Sequence, residues 1–376
     1  MKISTTQENL HQALTLVSRV TTKSTNLPIL QNVLLRTQSK VLRLSTTNLE
    51  LAISCLVRGR VDTEGEFTVP ARLFSDYISL LPSGKVDLEL VGNTLLVQSN
   101  ASETKMHGIP AAEFPVIPRV TEGQVYQVPI QDLHRALQSV LFAVAQSESR
   151  PELTGVVFIF HKSEGSLTLA ATDSYRLGES VIPLGKESSQ EQVQVIIPAK
   201  TLVELVRVLS VPSDSIETTE YLTVTVSQNQ VQFETGNTEL QSRIIEGSYP
   251  DYRQIIPTQF RTEMVLPRAE FIAAIRAASL FTKNGLADVR LELVAGKPVT
   301  IRAADTQRGE HHAEVHGVVQ GVENHVVVNY KYLLDGLGAM KDDEVVLKMI
   351  DGSNPCLLTP KDPEEKYQYI VMPIKQ

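Results

Sequence analysis

Tryptophan is absent from this chain, two cysteines occur in 376 residues, and aromatic residues make up only 5%. Without Trp, and without any stretch in which aromatic and basic residues interleave, there is no stacking platform of the kind that binds single-stranded nucleic acid. Cys55 and Cys356 lie far apart and match no metal-ligand spacing, which points to a reduced, cytoplasmic protein. No apolar run approaches the roughly 18–20 residues that cross a bilayer. The start Met1-Lys2-Ile3-Ser4 turns polar too soon for a signal peptide, so no membrane association is expected. Phosphate-cradling Gly-x-Gly-x-x-Gly and Walker-type loops are missing, as is the Gly-x-Ser-x-Gly elbow. The densest metal-like pattern, His311-His312-Ala-Glu314-Val-His316, alternates as a solvated strand face does, and that reading outweighs a metal site. Asp173 with Arg176, and Asp251 with Arg253, read as turn or ion-pair residues, since neither pair has a nucleophile or base beside it. No catalytic residue, metal or cofactor is expected.

What the chain does contain is a threefold repeat. At 376 residues it suits two or three domains, and self-similarity is the first thing to seek. A β-branched run closed by Pro or Asn, with a basic residue two positions on, occurs at Pro70/Arg72, Pro198/Lys200 and Asn329/Lys331. Pro is tolerated in a first helical turn and Asn caps one, so each copy predicts a strand feeding a helix. Apolar strands recur around Val33, Val156 and Val289. Strand ends recur at Thr46-Thr47-Asn48, Ala171-Thr172-Asp173 and Ala303-Ala304-Asp305. Amphipathic helices open each unit, with Leu10 and Leu14, Leu133 and Leu137, and Phe271 and Ile275 on their apolar faces. Two similar linkers follow the first two units: Phe114-Pro115-Val-Ile-Pro118 and Tyr249-Pro250-Asp251-Tyr252 running to Pro257. Pro favours extended backbone before it and stops a helix. The expectation is three α+β modules, 1–118, 119–257 and 258–376, each with two helices packed on antiparallel sheet.

The net charge of −8 argues against a nucleic-acid binder only if it is spread evenly. The six predicted helices with their flanks (7–23, 70–81, 129–143, 198–209, 267–283 and 329–341) hold eleven basic residues and six acidic ones. Helices are therefore positive on an otherwise acidic body. A face of that kind meets phosphates through screened, sequence-independent attraction. Surface helices also carry Lys and Arg by chance; on charge alone the two accounts weigh about equally, and repetition in all three units favours function. The apolar ending Tyr369-Ile-Val-Met372-Pro373-Ile374 suits either a last core strand or an adaptable apolar groove.

The residues resemble the β subunit of bacterial DNA polymerase III, the sliding-clamp family, over essentially the whole chain. The resemblance is carried by Leu27-Pro-Ile-Leu30 with Asn32, Thr68-Val-Pro-Ala-Arg72, Pro110-Ala-Ala-Glu-Phe-Pro115, Ala171-Thr-Asp-Ser-Tyr-Arg-Leu177, Tyr249-Pro-Asp-Tyr252 and Val371-Met-Pro373. It implies a non-catalytic processivity factor: two copies joined head to tail in a ring of six modules, with helices lining a hole for duplex DNA. It also implies a groove between the second and third domains for partner peptides. The partners so implied are the polymerase III α subunit, clamp-loader subunits, and other clamp-motif proteins such as repair polymerases, mismatch-repair proteins and ligase. Groove positions matching the family are Leu153, Thr172, Ser174, Tyr175, Arg176, Leu177, Pro250, Ile255, Pro355, Ile370, Met372, Pro373 and Ile374. DNA-facing positions are Lys23, Arg72, Arg150, Lys200, Arg207, Arg276, Lys283 and Asn284, and Met106, Leu280 and Phe281 fall near the implied dimer contact. The chain departs from many relatives at Ser174-Tyr175, where they have Gly-His, at Gln254, where they have a basic residue, and in its ending Ile374-Lys-Gln376. The rival reading is a three-module protein-binding scaffold that does not encircle DNA; an enzyme acting on DNA ends would need paired acidic metal ligands that the sequence does not offer.

Overall fold

The computed structural model describes residues 1–376 except 22–26, 39, 101, 119, 121, 162–163, 190, 212–219, 283–284, 286 and 376. The six expected helices form: α1 Gln7–Val17, α2 Ala71–Leu80, α3 Ile130–Val140, α4 Ala199–Ser210, α5 Arg268–Ser279 and α6 Tyr330–Ala339. Their starts follow from local chemistry. The Thr6 hydroxyl accepts from the Asn9 amide at the head of α1, and the Asn329 side chain accepts from the Lys331 amide at the head of α6. Helices α2, α3, α4 and α5 each begin directly after a proline that closes the preceding strand. Among the described residues no helix is long and apolar enough to cross a membrane.

Among the described residues the strands form four antiparallel sheets. One has five strands and ends on Glu103–His107. A second has four and ends on Gly309–Val315. The two larger sheets are each continuous across a module boundary. In the eight-stranded sheet, Leu51–Val57 pairs with Thr238–Arg243, Cys55 opposite Thr238 and Leu51 opposite Ser242. In the nine-stranded sheet, Arg176–Pro183 pairs with Tyr367–Val371, Arg176 opposite Val371 and Ser180 opposite Tyr367. Through this shared pairing the chain groups into two compact units. One holds residues 1–130, 185–189 and 200–244, and the other 131–184, 190–199 and 245–376.

In the first unit α1 and α2 pack on each other and on the sheets through Leu10, Leu14, Phe74 and Ile78, all fully buried. In the second, α5 and α6 do the same through Phe271, Ile275, Leu333 and Leu337. Gly336 in α6 is required by packing: a Cβ there would sit 2.2 Å from the ring of Tyr369. Both cysteines are buried free thiols. Burial pushes Cys55 up to about 11 and Cys356 up to about 12, so neither is a reactive thiolate at neutral pH.

Candidate partner groove and DNA-facing helices

The candidate groove is built on a turn. After the strand Ser166–Thr172, the Asp173 carboxylate oxygen Oδ1 accepts from the amides of Tyr175 (2.9 Å) and Arg176 (3.0 Å). The Thr172 hydroxyl donates to the Arg176 carbonyl at 2.6 Å and accepts from the Ser174 amide at 3.1 Å. This Asx turn holds Ser174 at φ 76° and leaves Tyr175 exposed. The same turn is made at Asn48, which accepts from the Glu50 and Leu51 amides with Leu49 at φ 78°. Asp305 makes it a third time, accepting from the amides of Gln307 and Arg308. The repeat read from Asn48, Asp173 and Asp305 is thus a repeat of hydrogen bonds.

Arg176 locks this turn from beneath. Its guanidinium donates to Asp173 Oδ2 (3.0 Å), Asp335 Oδ2 (2.5 Å) and the Phe142 carbonyl (2.6 Å). It lies 4.5 Å from the ring centroid of Tyr332 and 5.4 Å from that of Phe142, and its side chain is only 12% exposed. A fork this fully engaged positions the turn rather than reaching outward.

The floor is apolar. Leu153, Leu177 and Ile370 are buried in one cluster with Val157, Ile159, Tyr249 and Tyr252. The Tyr249 hydroxyl accepts from the Thr172 amide at 3.1 Å, and burial raises its pKa. Tyr252 meets Tyr249 edge to face and donates to the buried Glu179 carboxylate at 2.5 Å. Burial raises the Tyr252 pKa and the neighbouring carboxylate raises it further. Pro250 is half-buried, and Ile255 is exposed at the end of the short helical turn Tyr252–Ile255. Pro355, half-buried, leads into the strand Cys356–Pro360, whose Leu357 joins the cluster. Met372, Pro373 and Ile374 are half-buried. The Met372 amide donates to the Tyr175 carbonyl (2.9 Å) and the Ile374 amide to the Val327 carbonyl (2.8 Å). All thirteen groove positions therefore lie in one compact unit. Tyr249, Tyr252, Glu179 and Asp335 belong with them and were not among the site residues read from sequence. The Tyr-Pro-Asp-Tyr motif carried the signal for the first two.

The DNA-facing candidates divide. Arg72, Lys200 and Arg276 are exposed on α2, α4 and α5. Arg207 is not: its side chain is 18% exposed, pairs with Glu204 at 2.8 Å, and donates to the carbonyls of Thr15 (3.0 Å) and Leu16 (2.5 Å) at the end of α1. A cation there satisfies last-turn carbonyls and the negative end of the helix dipole. Arg150 is exposed but pairs with Glu152 (3.1 Å) and donates to the Ser174 hydroxyl (3.3 Å), which sets it beside the groove turn. Lys23, Lys283 and Asn284 lie outside the described residues.

Of the contact candidates, Leu280 is exposed just beyond α5. Phe281 stacks on His311 of the edge strand Gly309–Val315, centroids 5.5 Å apart. Met106 sits on the edge strand Glu103–His107 with its side chain buried, so that strand presents backbone there and not the thioether. His312 and Glu314 on Gly309–Val315 are exposed. Among the described residues no group of three His, Cys, Asp or Glu side chains is placed to hold a metal.

Sequence models of three domains of the DNA polymerase III beta subunit match this chain in order: the N-terminal domain over residues 1–118, the central domain over 127–251 and the C-terminal domain over 253–375. The chain belongs to the DNA polymerase III beta-subunit family. Among these beta sliding clamps, that of Synechocystis sp. is 31% identical, with 100% of this chain and 99% of the relative covered. That of Staphylococcus aureus is 31% identical with 93% of each chain covered. Solved clamp structures agree. The Bacillus subtilis sliding clamp superposes with a TM-score of 0.92 at 26% identity, covering 100% of this chain and 99% of that one. A clamp structure from Pseudomonas aeruginosa gives 0.93 at 28% identity with both chains fully covered.

Proposed function

We propose that this clamp-family chain closes with a second copy into a ring that encircles duplex DNA without reading its sequence and tethers a polymerase to it. The observation that carries the reading is a seam used twice within the chain. The strand that follows the Asx turn pairs with the last strand of the next module: Leu51–Val57 with Thr238–Arg243, and Arg176–Pro183 with Tyr367–Val371. One strand of each kind is left over, Gly309–Val315 after Asp305 and Glu103–His107 at the end of the first module, and each is the edge of its sheet. An unpaired edge is a template for another strand. Joining these two edges between copies repeats the seam a third time, and a heterologous contact of this kind closes into a ring. Leu280, Phe281 and the backbone around Met106 lie on or beside those edges.

Arg72, Lys200 and Arg276 supply the phosphate-facing charge in this reading, while Arg150 serves the groove turn and Arg207 the fold. The groove takes an extended partner peptide, with Tyr175, Ile255 and Met372 to Ile374 at its surface, Arg176 holding the turn, and Leu153, Leu177 and Ile370 buried beneath. Polymerase III α, clamp-loader subunits and other clamp-motif proteins are the proposed partners, in the cytoplasm, and the clamp itself performs no catalysis. The proposed module limits are 1–118, 119–257 and 258–376. Light scattering tests the closure: a mass of twice 41.5 kDa that falls to the single-chain value in a Leu280→Asp, Phe281→Asp double variant is expected. A wild-type chain that stays monomeric at micromolar concentration contradicts it.

A further inference from the structure

Strand register sets the sheet face near the first linker against the face near the second, position by position. Leu34 stands opposite Ser45, Ser45 opposite Ser54, and Ala52 opposite Gln241. In the other sheet Val157 stands opposite Ala170, Ala170 opposite Glu179, and Leu177 opposite Ile370. Leu34, Ala52, Ser54 and Gln241 therefore occupy the places of Val157, Leu177, Glu179 and Ile370. Phe114 takes that of Tyr249, each being the buried aromatic before the linker proline.

Around the second linker these positions enclose Tyr252, whose hydroxyl is bound by Glu179. Around the first, the residue two beyond the proline is Ile117, which packs only partly buried against Leu34 and Phe114. A cavity of about 150 Å³ remains, lined by Leu34, Ala52, Ser54, Phe114 and Gln241 among others, with the Arg43–Glu239 ion pair (2.6 Å) in its wall.

We propose that this cavity binds a phenol ring, borne as a tyrosine side chain on an exposed segment of a partner protein. The molecule supplies the precedent, since the equivalent space is filled by its own tyrosine. The size agrees, because a cavity of about 150 Å³ accepts a benzene ring. The lining selects a phenol over a hydrocarbon. Ser45 and Ser54 hydroxyls meet at 2.8 Å in the floor and the Arg43–Glu239 pair stands in the wall. An aliphatic occupant would strip water from these groups and return no hydrogen bond, whereas a phenol returns one. Arg43 also offers a planar cation to a ring face. The site uses none of the thirteen groove residues and stands independently of the partner-groove reading.

The test is methyl NMR on the full chain, titrated with N-acetyltyrosine amide, N-acetylphenylalanine amide and the capped tripeptide Gly-Tyr-Gly. Saturable shifts are expected at Leu34 and Ile117 methyls, with the tyrosine amide binding about five-fold more tightly than the phenylalanine amide, the worth of one hydrogen bond. The tripeptide should bind at least as tightly as the single residue. Ala52→Leu, which fills part of a cavity that Ile117 already narrows, should sharply weaken the response. Ser54→Ala, which adds no bulk and so carries the test even if Ala52→Leu fails to fold, should erase the tyrosine preference. Shifts absent at Leu34 and Ile117, or confined to Leu153 and Leu177, overturn the proposal. So does an unchanged tyrosine preference in Ser54→Ala, and a tripeptide that fails to bind where the amide binds overturns the assignment to a protein partner.

Discussion

The sheet face under Tyr249 and the one under Phe114 share a turn and a strand order, yet they carry different floors. Thr172 and Asp173 make the same backbone hydrogen bonds as Thr47 and Asn48. Under Tyr249 the floor is Val157, Ile159, Leu177 and Ile370; under Phe114 the same places hold Leu34, Arg36, Ala52 and Gln241. A repeated module keeps what its backbone demands, because an unsatisfied turn amide is costly anywhere. Side chains that only cover a sheet face are free to diverge, and it is there that one copy carries an apolar cluster and the other a small polar cavity.

The largest test of that contrast is truncation beneath each linker. Tyr252→Ala removes a buried aromatic and leaves Glu179 without its phenol, and should cost about 3–5 kcal/mol. Ile117→Ala, at the half-buried equivalent, should cost roughly 1 kcal/mol. Equal losses in denaturant titrations would mean that the two linkers are seated alike.

Next in size, removal of residues 372–376 takes away the amides that bind the Tyr175 and Val327 carbonyls. Binding of a labelled clamp-motif peptide, followed by fluorescence anisotropy, should fall by roughly 100-fold, about 2.7 kcal/mol. The melting temperature should hardly move. Undiminished binding would shift the partner site elsewhere, and toward the face under Phe114 if Ala52→Leu then blocked it.

The basic residues of α4 split into a smaller, paired prediction. Lys200→Ala should lower the slope of log affinity against log salt for duplex DNA by about 0.9, one phosphate contact. Arg207→Ala should leave that slope alone and destabilise the chain by about 1.5–3 kcal/mol, since it strips charged hydrogen bonds from the end of α1. The reverse pattern would return Arg207 to the DNA face.

These outcomes bear on how far the sequence could be read. Helix starts at Pro70, Pro198 and Asn329 and the strand ends at Asn48, Asp173 and Asp305 were legible because each depends on a few adjacent residues. The two-unit division was not, since it arises from pairing Arg176–Pro183 with Tyr367–Val371, strands nearly two hundred positions apart whose register no local pattern encodes. Arg207 and Met106 show the same limit at single residues. A basic helical residue faces DNA or a neighbouring helix end according to packing alone, and the inward turn of Met106 follows from strand phase. Tyr252 and Glu179 escaped because their meeting joins a linker to a sheet.

The smallest effect concerns the shared turn. Leu49 and Ser174 both hold left-handed backbone, at φ 78° and 76°. Glycine relieves that strain, so Leu49→Gly and Ser174→Gly should each stabilise the chain by up to about 1 kcal/mol, less the flexibility glycine adds to the unfolded state. Opposite signs at the two sites would show that the turns are not equivalent.

The ring itself is tested most directly by retention on DNA. With a clamp loader that accepts this chain, the labelled protein is assembled on a nicked circular plasmid, freed of loader by gel filtration, and the plasmid is then cut once. Loss of the protein from cut DNA with retention on the uncut circle is the predicted result, because encirclement fails when ends appear. Equal retention on both would contradict closure of the two free edges into a ring.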